Sequence, residues 1–361
     1  MLAEAEIAIT YHMERLGVVM QPMPGLNDEA EGVLNPAGAR GRDGQFYLFP
    51  RIVAPGNYSR IGLARVIFDD SQPRGVERLG IALEPEEAYE LNPDTGGGVE
   101  DPRITFVPDL DLYVMAYVAY GTVGPRVALA ASEDLLSWKR LGLADFAYEM
   151  GADFNAYLNK DAVLFPEPVR APDGRWMLCL MHRPVYAIWK DISATNPRPH
   201  RLDPPEGILD DRPSIWLSYC SSDALRAAYA NGAPLRFEQH SLLAMPEEPW
   251  EAFRIGGGTQ PVATPHGWLV FYHGVERTTI RSGVRYCAGA LLLDRENPLR
   301  VLHRTRQPIL EPLLHAEVDG IVSDVVFPTT TDVHGEAIDV YYGMADARIG
   351  VARLTMSVRG Y

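Results

Sequence analysis

Five short phrases carry side chains that could do chemistry on a polar substrate. Glu100-Asp101-Pro102-Arg103 sets a carboxyl beside a guanidinium. Proline fixes its own φ and drives Asp101 towards an extended conformation. An aspartate held that way beside a cation can be a catalytic carboxyl; the plainer alternative is a turn closed by a surface ion pair. Asn159-Lys160-Asp161 puts three polar groups at the start of an apolar run, as a site or as a solvated strand edge. His182-Arg183-Pro184 and Tyr272-His273-Gly274 each end a strand-like run. Arg183 and His273, brought together, could hold a phosphate or a sugar carboxylate. Tyr286 could add a hydroxyl, and Asp346 follows the Tyr342-Gly343 pair closely. The sequence contains no HExxH, no Gly-x-Ser-x-Gly and no Cys/His cluster. Metal and serine-nucleophile chemistry therefore carry little weight, and no metal is expected.

Those phrases need a frame that brings them together, and the chain repeats one. Asp43–Arg51, Leu110–Tyr117, Asp173–Arg183, His266–His273 and His334–Gly343 each alternate aromatic and aliphatic residues, and four of them open with a turn pair and Gly. Self-similarity of this kind marks a repeat architecture. Five copies in 361 residues allow about 72 residues each, above the ~40–50 of a common propeller blade. The reading is an all-β, five-bladed β-propeller with long loops, residues 1–361 as a single domain. Residues 1–30 read as an extension, a short helix or an edge strand that closes the ring. Ser132-Glu133-Asp134 and Ser222-Asp223 form a second, offset repeat whose side-chain oxygens close turns. The glycine-rich 92–103 stretch lacks the strand–helix setting of a phosphate-binding loop.

Composition sets bounds. Apolar content of 47% supports a full core, and 29 Pro with 32 Gly favour many turns. A net charge of −15 disfavours nucleic acid or an anionic membrane as partner. Cys179, Cys220 and Cys287 are too few and too scattered for a disulfide framework or a zinc site. The first residues lack the basic and apolar regions of a signal peptide, and no run reaches ~18 apolar residues. The expectation is a soluble cytoplasmic protein without cofactor; a homo-oligomer is compatible with it.

Taken in order, these phrases resemble glycoside hydrolase family 130. The resemblance rests on Asn35-Pro36, Tyr58-Ser59-Arg60-Ile61-Gly62, Val99-Glu100-Asp101-Pro102-Arg103, Asn159-Lys160-Asp161 with Leu164-Phe165-Pro166, His182-Arg183-Pro184, Gly267-Trp268-Leu269 with Tyr272-His273-Gly274, and Tyr342-Gly343 with Ala345-Asp346. It implies a five-bladed propeller acting on β-mannosides. Most such enzymes are inverting phosphorylases that release α-mannose 1-phosphate; some are inverting β-1,2-mannosidases. It implies Asp101 as general acid, acting through a sugar hydroxyl in the phosphorylases. Asn35, Arg60 and Asp346 would hold the sugar, with Arg65 and Asp161 beside them. Arg183, His273, Tyr286 and Lys160 would hold inorganic phosphate as co-substrate. A hydrolase would need a base to activate water, for which Glu251 and Glu317 are candidates. A propeller that only binds sugars would not need Asp101. The aglycone would be read by loops such as 187–212.

Overall fold

The computed structural model describes residues 8–92, 96–186, 202–279, 283–335 and 337–359. Residues 187–201 of the proline-rich loop and Glu336 of the fifth phrase lie outside them. The chain is all-β, and among the described residues its strands form four hydrogen-bonded sheets.

All five repeated phrases become strands, each the second in an antiparallel run of four. The first run is Gly32–Arg40, Phe46–Ala54, Tyr58–Asp69 and Gln72–Leu83. The second is Gly97–Val107, Leu112–Tyr120, Arg126–Ser132 and Lys139–Leu143. These two share one sheet through a short parallel junction, Tyr58 with Gly97 and Ser59 with Gly98. The third is Leu158–Leu164, Trp176–Val185, Ile215–Cys220 and Arg236–Ala244. The fourth is Arg254–Gly257, Gly267–Arg277, Val284–Leu293 and Val301–Arg304. The fifth is Val326–His334, Ala337–Met344, Arg348–Arg359 and Ala8–Met20.

Side chains alternate along a strand, so each run can feed two cores. Leu178 and Leu180 pack with Val114 and Leu129 of the preceding run. Met177, Cys179 and Met181, the residues between and beside them, pack with Trp268 and Val270 of the next. This explains why the phrases are apolar at nearly every position, where a sheet with one wet face would alternate. Further cores join the first run to the second, the fourth to the fifth, and the fifth back to the first, where Phe46 and Leu48 meet Tyr341 and Val351. The three cysteines are buried and unpaired.

The N-terminal segment is more regular than its sequence suggests. Ala8–Met20 forms a 13-residue strand paired with Arg348–Arg359, so the two ends of the chain complete one sheet. The Ser/Asp repeat divides in two. Ser132 Oγ accepts from the Leu135 amide, and Asp134 Oδ1 from those of Leu136 and Ser137, which closes a turn. At the second copy Ser221, one residue earlier than expected, caps the helix Ser222–Asn231. Among the described residues no helix is long and apolar enough to cross a membrane.

Candidate active site

The first strands of the first three runs each lose register at one point. The breaks fall between Leu34 and Ala37, between Glu100 and Arg103, and between Lys160 and Val163. At these breaks sit Asn35, Asp101 and Asp161, with φ of +43°, +46° and +56°. Bulges re-aim side chains, and Asn and Asp enter the left-handed region more readily than other non-glycine residues. The extended conformation that Pro102 should impose on Asp101 is therefore not observed. Asp101 is left-handed instead, its carbonyl accepting from Arg103 Nη1 at 2.7 Å. Arg103 is buried, and its Nε donates to the Gly258 carbonyl at 2.6 Å, tying the bulge to the fourth run.

The neighbouring strands supply side chains at the same level. Arg51 lies opposite Leu34, Arg183 opposite Lys160 and His273 opposite Gly256. Together with the bulged residues they line a cavity of about 330 Å³, with Lys160, Arg254, Tyr286, Phe327 and Asp346.

One half of this cavity is a carboxylate held by donors. Asn35 Nδ2 donates to Asp101 Oδ1 at 2.9 Å, and Arg51 Nη1 reaches the same oxygen at 3.4 Å. Arg51 is fixed in turn by Glu100 at 2.8 Å and by Ser59 Oγ at 2.9 Å. Burial pushes the Asp101 carboxyl up, but Arg51, Lys160 and Arg103 outweigh it and hold it below the usual range. Asp346 goes the other way. Burial and the charge of Asp101 push it up to about 6 despite Arg51. Of the two carboxyls, Asp346 is therefore the first to take up a proton as pH falls. Gly343 is required here: a Cβ at that position would stand 2.1 Å from Asn35 Oδ1.

The other half is basic. Arg183 Nε donates to Asp161 Oδ2 at 2.6 Å, and both side chains are buried. His273 Nε2 lies 3.6 Å from the same oxygen. Burial, then Arg183, Arg254 and Arg103, lower the His273 pKa to about 3 against the pull of Asp161. The ring is therefore neutral. The Arg254 guanidinium donates to the Tyr286 hydroxyl and has no carboxylate partner among the described residues. Its Nε and His273 Nδ1 are buried without a partner. Unsatisfied buried donors and acceptors are costly, and both residues line this cavity. Lys160 lies between the halves, 3.6 Å from Glu100 and over the Tyr120 ring.

Four expected residues lie elsewhere. Arg60 follows Ile61's neighbour rule: Ile61 faces Arg51 across the strands, so Arg60 points to the other face. It pairs there with Glu84 at 2.6 Å and Asp28 at 3.2 Å. Ser59, its neighbour, is the residue of that phrase that serves the site, by holding Arg51. Arg65 is five residues further along the strand and forms an exposed pair with Glu77. Glu251 and Glu317 are unsuitable as bases. Glu251 accepts from the Glu247 and Glu248 amides, the Tyr272 hydroxyl and Arg304. Glu317 accepts from the Leu313 and Leu314 amides, the Tyr342 hydroxyl and Arg15. Glu90 repeats the pattern with Tyr117 and Arg140. All three are buried structural carboxylates of the repeat.

Arg51 and Arg254 were not singled out from the sequence. Arg51 had a legible signal: it ends the first repeated phrase as Arg183 and His273 end theirs.

Residues 27–358 match the sequence model of family 130, described as β-1,4-mannooligosaccharide phosphorylase. The chain belongs to glycoside hydrolase family 130. As a member it is an enzyme of the glycoside phosphorylase or glycosidase class. Among curated relatives of this family 130 protein, a 1,2-β-oligomannan phosphorylase of Thermoanaerobacter sp. is 32% identical over 72% of the chain and 69% of its own length. A β-1,2-mannobiose phosphorylase of Listeria innocua is 32% identical over 74% of the chain, a stretch that spans 61% of that enzyme. The solved complex of a Listeria innocua β-1,2-mannobiose phosphorylase with β-1,2-mannobiose superposes with a TM-score of 0.67. It covers 94% of this chain and 96% of that one at 24% identity, a likeness of fold.

Proposed function

We propose that this family 130 protein is a five-bladed β-propeller and an inverting phosphorylase of β-mannosides. Five runs of four strands, with cores between consecutive runs and between last and first, support the propeller. The observation that carries the activity is the division of the cavity. Asp101 is held by Asn35 and Arg51 on one side, and Arg183, Arg254 and Tyr286 face it from the other. Phosphate brings its own nucleophile, so one carboxyl and one anion clamp suffice. A hydrolase needs a second carboxyl free to activate water.

In the proposed reaction, Asn35, Arg51 and Asp346 hold the mannosyl unit. A phosphate oxygen attacks its anomeric carbon from the clamp side as the glycosidic bond breaks. The departing sugar oxygen receives the proton that Asp101 delivers, through a sugar hydroxyl. The products are α-mannose 1-phosphate and the shortened sugar. By itself Asp101 favours its anionic form, and it takes up the proton that it delivers when sugar and phosphate bind; the P–OH proton given up by phosphate as its oxygen bonds to carbon restores the balance. Phosphate adds negative charge nearby and raises the affinity of Asp101 for a proton. The clamp also places the nucleophile and offsets its charge, the larger share of the catalysis. No cofactor is needed, and the cytoplasm suits an enzyme that consumes phosphate.

One observation favours hydrolysis as the second reading: Asp161 is a carboxylate on the clamp side. Arg183, with Arg103, overcomes its burial and holds it well below the usual range, which makes it a weak base. The test is Asp101→Asn. Loss of a general acid should lower kcat by about 10²–10⁴ with little change in phosphate binding. Turnover within a few-fold of wild type would remove Asp101 from the chemistry.

A further inference from the structure

A carboxylate in the middle of an anion clamp is unexpected, because it repels the ligand. Asp161 is nonetheless buried there, between Arg183 and His273, with Arg103 and Arg254 contributing their charge to the same pocket. Its position is tightly set. A Cβ on Gly256 of the next run would stand 2.2 Å from Asp161 Oδ2. Among the described residues, Arg183 is its hydrogen-bond donor, and it uses Oδ2. Oδ1 remains to accept a further bond.

His273 points the same way. A neutral imidazole has one N–H and one lone pair. The Nε2 atom faces the Asp161 carboxylate, so the proton belongs on Nε2. Nδ1, buried and unpartnered, is then an acceptor. The clamp thus offers donors from Arg183, Arg254 and Tyr286 alongside two acceptors, Asp161 Oδ1 and His273 Nδ1.

We infer that this half of the cavity selects an oxyanion that still carries a proton, and that Asp161 is the residue that reads it. Inorganic phosphate at neutral pH keeps at least one P–OH, which can donate to Asp161 or to His273. Sulfate has the same shape and no proton. It would meet Asp161 with lone pairs against a negative charge. Asp161 is a specificity-determining residue in this account: it weakens the clamp for anions in general and admits phosphate. The inference rests on the phosphorolytic reading.

Calorimetric titration of the purified protein with phosphate and with sulfate tests it. Wild type should bind phosphate at least about 100-fold more tightly than sulfate, since an unpaired acceptor facing an anion costs what a lost charged hydrogen bond costs, and more. Asp161→Asn replaces one acceptor oxygen with a donor and should bring the two affinities within about tenfold, mainly by gaining sulfate binding. Sulfate bound as tightly as phosphate by wild type would overturn the inference and leave the phosphorylase reading intact. So would a ratio unchanged in the variant. If wild type binds neither anion, the phosphorylase reading fails and the inference falls with it. The wild-type comparison needs no variant to fold.

Discussion

At the scale of residues, the site is a matter of which carboxyl holds the proton. Asp101 and Asp346 share one cavity, and Arg51 with Lys160 favours charge on Asp101. Asp346, pushed up to about 6, keeps its proton longer. Its folded pKa lies above the unfolded value, so the stability it contributes is full below about pH 4 and declines as pH rises towards 6. At neutral pH a charged Asp346 costs stability. Asp346→Asn should therefore raise stability at pH 7 by about 1–2 kcal/mol, and leave it unchanged near pH 4. Thermal unfolding at the two pH values checks this. An alkaline limb in kcat/KM is expected near pH 6, where Asp346 loses its proton, and the same variant should remove it. A melting temperature that falls equally at both pH values would show that Asp346 acts only through its contacts.

Legibility at this scale was uneven. Asp101, Asn35, Asp161, Arg183, His273, Tyr286, Lys160 and Asp346 all reach one cavity; each belongs to a phrase or strand that the sequence marks out, with Asn35, Asp101 and Asp161 at strand breaks. Arg60 does not, because a one-residue step along a strand changes faces. The sequence shows the phrase and not the face. Arg254 was invisible, since its strand is only four residues long and lacks any alternation to read.

At the scale of elements, the repeat explains two carboxylates that looked catalytic. Glu90, Glu251 and Glu317 each precede the first strand of a run. Each meets a tyrosine of the second strand, Tyr117, Tyr272 or Tyr342. They cap the turn that enters the strand and clamp it to its neighbour. Glu251→Gln should cost about 2–3 kcal/mol of stability, because Arg304 and two backbone amides lose a charged acceptor. Its kcat and KM, measured on folded protein, should stay at wild-type values. Urea unfolding and steady-state kinetics together decide it. A large fall in kcat without loss of stability would restore Glu251 as a base. The repeated phrases themselves were readable because their period-two pattern and turn pairs are local. The left-handed bulge at Asp101 was not, because it depends on Arg103 reaching Gly258 from a distant part of the chain.

At the scale of the molecule, strands from the two ends of the chain complete the fifth run, which packs back on the first. Ala8–Met20 pairs along its length with Arg348–Arg359, and Arg15 of that strand holds Glu317. Without it the Arg348–Arg359 strand becomes a long exposed edge, a template for association. Removing residues 1–20 should lower the melting temperature by several degrees and produce larger species on size-exclusion chromatography. A monodisperse truncated protein of unchanged stability would show that the last sheet stands without this strand. The packing of the last run on the first also explains why residues from every run reach one cavity. The same strand position in successive runs faces one space, and that space is where Arg51, Arg183 and His273 meet.

That space divides into an acid half and an anion half, and the reaction depends on the division. It is tested by incubating the purified protein with β-1,2-mannobiose and related β-mannosides, with and without inorganic phosphate, and assaying sugar phosphate. The expected product is mannose 1-phosphate of α configuration, formed only when phosphate is present. Free mannose formed equally in both incubations would contradict it and make the clamp a water site.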